Sequence, residues 1–169
     1  EEQIRQQEPW AAQGRTPDRA RNVITSLEMD PVVMEQRNLK LQAKYAEIEA
    51  NEVRYETINC EDADYLMVAF GSMARIAQKA IDLAKEEGIK LGLLRPITLY
   101  PFPTKAIAEL AERGVKGFLT AELNAGQMVE DVRLAVNGKA PVEHYGRMGG
   151  MLFSPDEVLK AVKEKLINR

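Results

Sequence analysis

The sequence has very little cysteine and histidine, with one of each among 169 residues, Cys60 and His144. A disulfide needs two cysteines, and an iron-sulfur cluster or a structural zinc ion usually needs four Cys or His ligands. These groups are therefore excluded within this chain, and any redox metal is expected on another polypeptide. Cys60 stands beside an acidic turn, and carboxylates raise the pKa of a neighbouring thiol, so we interpret it as an incidental cysteine.

The sequence also lacks an excess of positive charge and any long apolar run. The formal net charge is -3 and the pI is near 5.4, which gives no basic field of the kind that binds nucleic acid or acidic membranes. No run approaches the roughly 18 apolar residues that a membrane-spanning helix needs, and the first residues are polar and acidic, unlike a secretory leader. We expect a cytoplasmic protein with neither nucleic-acid nor membrane partners.

The first part of the chain differs in pattern from the rest. Residues 1–22 are polar without a sustained period, and Trp10 is expected to pack on a part of the protein outside this sequence. Asp30 and Pro31 are typical of a helix start. The apolar positions that follow form only a sparse stripe, so this helix is predicted to be mostly solvated. We assign residues 1–50 to a linker and helical arm, and residues 51–169 to one domain.

Four strand-helix units follow the arm. Apolar runs that begin near Tyr65, Lys90, Gly117 and Pro141 predict strands, and each precedes a segment with helical periodicity. The fourth run has mixed polarity, which predicts a strand at the sheet edge. This alternation predicts an α/β fold with three α/β/α layers, a mostly parallel sheet and right-handed crossovers.

Helix boundaries are also visible in the sequence. Ser72 is predicted to cap the helix after the first strand, and Ser154, Pro155 and Glu157 form the pattern of a capping box before the last helix. Glycines are predicted to end the intervening helices; they are Gly88, Gly114 and Gly138.

The unusual segments of the domain each come directly after a strand. In a parallel sheet these segments meet at the carboxyl edge, where turns and helix N-termini suit an anion or another polar surface. Strand-to-helix turns also need glycines and capping residues for structural reasons alone. A purely structural role for these residues therefore stays open beside a functional one. The candidate interface or anion-contact residues are Gly71, Ser72, Arg95, Asn124, Gly126, Gln127, Arg133 and Arg147.

Four motifs carry a family resemblance: VAFGSMARIA at 68–77, LRPITLYPFP at 94–103, NAGQMVEDVR at 124–133 and YGR at 145–147. They resemble the α subunit of 2-oxoacid:ferredoxin oxidoreductases, in the domain that is similar to the C-terminal domain of transketolase. Residues 21–50 are similar to the interdomain linker of that family. The sequence LQAKYAEI at 41–48 most resembles the corresponding segment of the branched-chain, 2-oxoisovalerate enzymes.

The resemblance implies an enzyme that oxidatively decarboxylates a 2-oxoacid on thiamine diphosphate and Mg, passes electrons through iron-sulfur clusters to ferredoxin, and releases an acyl-CoA. In that family the glutamate that engages thiamine lies in the preceding α domain, and the diphosphate site and the clusters lie on other subunits. No catalytic, cofactor-binding or metal-binding residue is therefore expected in this chain, which is expected to be inactive alone. Its partners are then the other subunits of the complex.

Two function classes remain open at this point. The chain is either a structural and subunit-interface domain of the oxidoreductase or a stand-alone module that binds an anionic ligand, such as the phosphates of CoA, at the carboxyl edge. Arg95, Arg133 and Arg147 are the candidate phosphate contacts.

The loop after Arg147 departs from the family, which often has proline before its glycines. Here residues 148–153 read MGGMLF. We expect these apolar side chains either to form a subunit contact or to tuck beneath the last helix.

Overall fold

The computed structural model describes residues 17, 18, 20 and 26–168. Trp10 and its predicted packing lie outside the described residues. The chain divides into two units, Glu1–Ala43 and Lys44–Arg169.

Helix α1, Pro31–Asn51, has no buried residue, in agreement with the predicted solvated helix. Its predicted N-cap is confirmed, because Asp30 Oδ1 accepts hydrogen bonds from Val32 N at 2.8 Å and Val33 N at 3.3 Å. In the second unit, the ring of Tyr45 meets Tyr100 edge-on with centroids 6.2 Å apart. The Tyr100 hydroxyl donates to Glu49 at 3.0 Å.

The domain is built on a five-stranded sheet in the order β1-β3-β2-β4-β5. The strands are β1 Tyr55–Ile58, β2 Tyr65–Val68, β3 Leu91–Pro96, β4 Gly117–Glu122 and β5 Val142–Gly146. Strands β2 to β5 pair in parallel, and β5 lies at one edge, both as predicted. Strand β1 pairs antiparallel with β3 at the other edge and was not predicted. Three of its four residues are exposed, so it carries no apolar pattern.

Four helices cover the two faces of the sheet, which confirms the predicted three layers. They are α2 Gly71–Glu86, α3 Thr104–Glu112, α4 Met128–Val136 and α5 Pro155–Val162, the last continuing into a π-helical turn, Lys163–Ile167. Helices α2 and α5 share one apolar core with the sheet, and α3 and α4 share the other. Helix α2, which connects β2 to β3, lies on one face of the sheet, and α3 and α4 lie on the other. The chain moves across the sheet in one direction from β2 to β3 and in the opposite direction from β3 to β4 and β5. All three parallel crossovers therefore have the same hand.

The predicted helix boundaries are confirmed with one exception. Ser154 and Glu157 form the expected capping box, with Pro155 in the first turn. Ser72 does not cap α2, because the helix already begins at Gly71 and Phe70 holds the N-cap position without a side-chain hydrogen bond. The extended backbone therefore ends at Phe70, two residues before Ser72, and Ser72 lies inside the first helical turn.

Candidate functional site

The sheet has a topological switch point at its carboxyl edge, between β2 and β4. The chain leaves β2 toward β3 on one side and later returns to place β4 on the other. Open α/β sheets bind ligands in the crevice outside the carboxyl ends of strands at such a point. The loops that border this crevice are therefore the first place to search for a functional site.

Two shallow clefts of about 180 and 230 Å³ lie at this crevice and share Phe70, Glu122 and Asn124 in their walls. The first also contains Gly71 and Ser72, and the second also contains Gln127. With Gly126, which lies in the same turn as Asn124 and Gln127, the structure thus brings five of the candidate residues together in the β2–α2 and β4–α4 turns.

The β4–α4 turn is shaped by Asn124 and Gly126. Asn124 Oδ1 accepts a hydrogen bond from Gly126 N at 2.7 Å, a local turn that asparagine side chains commonly make. Gly126 has a φ of +113°, a conformation that L side chains rarely adopt. The side chain of the next residue, Gln127, is exposed to solvent.

Glu122, the last residue of β4, is the polar centre of this turn and is only 2% exposed. Its carboxylate accepts hydrogen bonds from the backbone amides of Met128 at 2.8 Å, Val129 at 3.1 Å and Gln127 at 3.3 Å. Asn124 Nδ2 donates a fourth at 3.2 Å. The first amides of a helix lack intrahelical acceptors and carry partial positive charge, so a carboxylate there satisfies them. The anion position at the N-terminus of α4 is therefore filled by the chain itself.

Glu122 was not among the candidate residues predicted from the sequence. The available signal was an acidic residue at the end of an apolar strand, before a helix whose N-cap position holds Gln127 rather than a usual capping residue.

His144 lies beside Glu122 on the neighbouring strand. It pairs in register with Thr120, and its Nε2 is 3.7 Å from Glu122 Oε2. Within the described structure, His144 Nε2 and Thr120 Oγ1 are buried without a hydrogen-bond partner. A Cβ added at Gly146 would lie under 3.0 Å from both Asn124 O and the His144 ring. The end of β5 therefore lies directly against the β4–α4 turn, an approach that requires glycine.

Two of the candidate arginines are paired with nearby acids and lie apart from the switch point. Arg95, in β3, donates to Glu56 of β1 at 2.8 Å. Arg133 donates to Glu130 at 2.6 Å on the outer face of α4. Their positive charges are thus compensated within the chain.

Arg147 lies at the carboxyl edge and organises the loop between β5 and α5. Its guanidinium donates to Glu157 at 2.6 Å and to Leu152 O at 2.8 Å, and lies 5.6 Å from the centre of the Phe153 ring. The pKa of Glu157 is lowered, first by the backbone amide of Ser154 and further by Arg147. These contacts close the loop onto the start of α5.

Within the 148–153 loop, Phe153 follows the expectation of tucking beneath the last helix, whereas the expected subunit contact stays a prediction. Phe153 is 5% exposed and its ring packs against Tyr145 with centroids 4.7 Å apart, so it tucks beneath the last helix. Met151 and Leu152 remain about three-fifths exposed, at 58% and 61%.

The exposed apolar side chains of the domain concentrate at the carboxyl edge. Seven of them, each between 40% and 61% exposed, lie in the loops after β3, β4 and β5. We call this set the carboxyl-edge apolar surface: Ile97, Leu99, Tyr100, Leu123, Met148, Met151 and Leu152. Among the described residues of the domain, the loops at the opposite edge, 59–64, 87–90, 113–116 and 137–141, expose no large apolar side chain.

Cys60 is buried and its Sγ donates to Leu93 O at 3.2 Å. Burial raises the pKa of this thiol, and its hydrogen bonds to backbone carbonyls partly oppose that effect.

In the part of the chain that the structure describes, no three His, Cys, Asp or Glu side chains are placed to hold a metal ion. No described helix combines the length and apolar character needed to cross a membrane.

Comparison with known proteins places these features in a family. The model of pyruvate:ferredoxin oxidoreductase core domain II matches residues 63–158, more than half of the chain. The chain is also 45% identical, over 155 residues, to the ketoisovalerate oxidoreductase subunit VorB of Methanothermobacter marburgensis. That alignment covers 92% of this chain and 43% of the relative, so the chain spans less than half the length of the curated relative.

Solved structures agree with the sequence relatives. A 2-oxoglutarate:ferredoxin oxidoreductase from Magnetococcus marinus, with 2-oxoglutarate, coenzyme A and succinyl-CoA bound, superimposes with a TM-score of 0.69 at 25% identity. The match covers 91% of this chain and 28% of that chain. A split-gene transketolase in an inactive β4 tetramer shares the fold, with a TM-score of 0.55 at 22% identity, covering 66% of this chain and 40% of its own. The resemblance seen in the sequence is thus confirmed, and the chain belongs to the pyruvate:ferredoxin oxidoreductase core domain II family.

Proposed function

We propose that this chain is the C-terminal part of the α subunit of a cytoplasmic, thiamine-diphosphate-dependent 2-oxoacid:ferredoxin oxidoreductase that converts 2-oxoisovalerate to an acyl-CoA. The supporting observation is the 45% identity, over 92% of this chain, to a subunit of a ketoisovalerate oxidoreductase. In this proposal residues 1–50 are the linker and helical arm, and residues 51–169 are the transketolase C-terminal-like domain.

The proposed contribution of this chain is structural: it joins parts of the complex rather than performing chemistry. Its most buried carboxylate, Glu122, already accepts three backbone amides and one side-chain amide, so it has its partners inside the chain. Arg95, Arg133 and Arg147 are each paired with a glutamate of the same chain. The exposed chemistry of the carboxyl edge is instead apolar, which is typical of a surface that another protein covers.

The cofactors of the complete enzyme are assigned to its other parts. The single cysteine does not fit an iron-sulfur cluster, which needs several thiolates. Thiamine diphosphate, Mg and the clusters are therefore proposed to bind outside this chain, with ferredoxin, CoA and the 2-oxoacid as partners of the assembled enzyme.

The test is an activity assay on the complete complex, produced by expressing the full-length protein with its companion subunits. We expect CoA-dependent reduction of ferredoxin with 2-oxoisovalerate, and a lower kcat/KM with pyruvate or 2-oxoglutarate. A complex that reduces ferredoxin only with one of the other two oxoacids would contradict the substrate assignment. Absence of turnover with all three would contradict the oxidoreductase assignment.

The alternative function, a stand-alone module for an anionic ligand, is tested separately by calorimetry. The interface function predicts no saturable heat when coenzyme A is titrated into the 169-residue chain. Saturable binding that weakens in the Arg147→Ala variant would favour the module instead.

A further inference from the structure

The exposed apolar side chains of the domain are unevenly distributed. The carboxyl-edge apolar surface draws side chains from three separate loops, which follow β3, β4 and β5. Val53 and Tyr55, also exposed, stand at the same edge because Tyr55 pairs with Pro96 at the end of β3. Leu134 on α4, 77% exposed, is the one other large apolar side chain exposed among described residues 52–168. Exposed apolar patches of this kind mark surfaces that another protein part covers.

The polypeptide also enters the domain at this edge. The last turns of α1 rest there, through the contacts of Tyr45 and Glu49 with Tyr100. The chain then continues along the same loop, where Arg54 N donates to Thr98 Oγ1 at 3.0 Å and Ile97 N donates to Arg54 O at 2.9 Å. Any part of the protein that precedes α1 is therefore connected to this edge of the domain through that helix.

This covalent connection favours a domain of the same polypeptide over a separate subunit as the part that covers the carboxyl-edge apolar surface. A domain on the same polypeptide has a high effective concentration at a surface beside its own linker, whereas a separate subunit has only its bulk concentration. The curated relative is more than twice as long as its aligned part, since the alignment covers 43% of it. A domain of the same polypeptide is thus available to bind there.

We propose that the carboxyl-edge apolar surface docks the domain that precedes α1 in the full-length polypeptide. This inference rests on the proposed function for the existence of that domain. Burial of the Leu123, Met151 and Leu152 side chains against the preceding domain then fixes its position on this chain. The 148–153 loop, closed onto α5 by Arg147, presents its apolar tip to that domain.

The experiment measures how well single cysteines are protected in the full-length subunit. Leu152→Cys places a thiol within the carboxyl-edge apolar surface, and Leu134→Cys places a control thiol on the outer face of α4. The hydrogen bond from Arg147 uses the backbone carbonyl of residue 152, so the substitution retains it. Cys60 is buried and gives little background reaction in the native protein. A maleimide probe is used, and each rate is divided by the rate of the same variant unfolded in urea.

In the isolated full-length subunit, we expect Leu152→Cys to react about tenfold more slowly than Leu134→Cys, because labelling then requires the domains to separate. Met151→Cys gives a second reading if Leu152→Cys fails to fold. Equal normalised rates at positions 152 and 134 would overturn the proposal. Protection that arises only when the companion subunits are added would also overturn it, since the occupant is then another subunit. Protection that increases with protein concentration would assign the surface to a second copy.

The proposed function is tested independently in the same preparations. Turnover of the complex that contains Leu134→Cys reports the oxidoreductase activity and does not depend on the docking surface. Failure of that turnover with protection intact would reject the activity and retain the docking. Normal turnover with equal labelling rates would reject the docking alone.

Discussion

Removal of the Glu122 carboxylate at the switch point is expected to lower the free energy of unfolding by an amount that the structure defines clearly. It is 2% exposed and accepts the amides of Gln127, Met128 and Val129, which begin α4. Glu122→Ala leaves these three donors without an acceptor and opens a small cavity beneath them. We therefore expect the variant to lose stability well beyond what a surface substitution loses.

The magnitude follows from the desolvation of the abandoned donors. A buried hydrogen-bonding group left without its partner costs about 1–3 kcal/mol. Gln127 is exposed to solvent whereas Met128 and Val129 are buried, so the penalty does not apply in full to all three donors. A total of about 3–5 kcal/mol in the free energy of unfolding is expected for Glu122→Ala. Glu122→Gln keeps the shape but turns one acceptor oxygen into a donor group, and about 2 kcal/mol is expected.

The assay is urea unfolding followed by far-ultraviolet circular dichroism, with linear extrapolation to water. The matched control is Glu130→Gln, in the first turn of the same helix, where the carboxylate is exposed and pairs with Arg133. Exposed pairs of this kind contribute about 0.5 kcal/mol. A Glu122→Ala variant that loses no more stability than the Glu130→Gln control would refute the capping role of Glu122.

Three further changes test other parts of the structure. Gly126→Val forces a branched side chain onto a φ of +113° and should lower stability by about 2 kcal/mol or more; an unchanged Tm would contradict this. The pKa of Glu157 is lowered in the folded protein, by Ser154 and then Arg147, so its contribution is present above the unfolded pKa and lost as pH falls through the folded one. The Tm difference between wild type and Glu157→Gln should accordingly be largest above the ordinary pKa of 4.5 and shrink in more acid, whereas a gap independent of pH would disprove the linkage. Since burial raises the pKa of the Cys60 thiol, its reaction with a disulfide reagent at pH 8 should be limited by unfolding, and rapid labelling of the native protein would argue against burial.

The parallel part of the sheet was predictable because its buried strands have a recognisable apolar sequence. Every residue of β4 is buried, since helices cover both faces of the sheet, and the sequence there is correspondingly apolar except for Thr120 and the final Glu122. Strand β1 lies at the edge and pairs with β3 alone. Its residues face solvent on most sides, so the sequence has no apolar pattern by which to recognise it. The position of Ser72 shows a second limit, because the helix begins two residues earlier than an N-cap at Ser72 requires.

The site was predictable only in its location. Strand order and parallel pairing place the turns after β2 and β4 together, so Gly71, Ser72, Asn124 and Gln127 were expected at one edge. The partners of the charged residues depend on contacts that sequence spacing does not reveal. Arg95 meets Glu56 through the pairing of β3 with β1, a strand that was not recognised.

The close approach at Gly146 has a consequence for redesign of the domain. No side chain fits there, because Asn124 O and the His144 ring occupy the space that a Cβ requires. Any side chain introduced at position 146 would therefore push the turns after β4 and β5 apart. The backbone at Gly149 and Gly150 has no neighbouring atom within 4 Å of an added Cβ. Space for an added side chain therefore exists at that tip, whereas the contact between the turns after β4 and β5 leaves none.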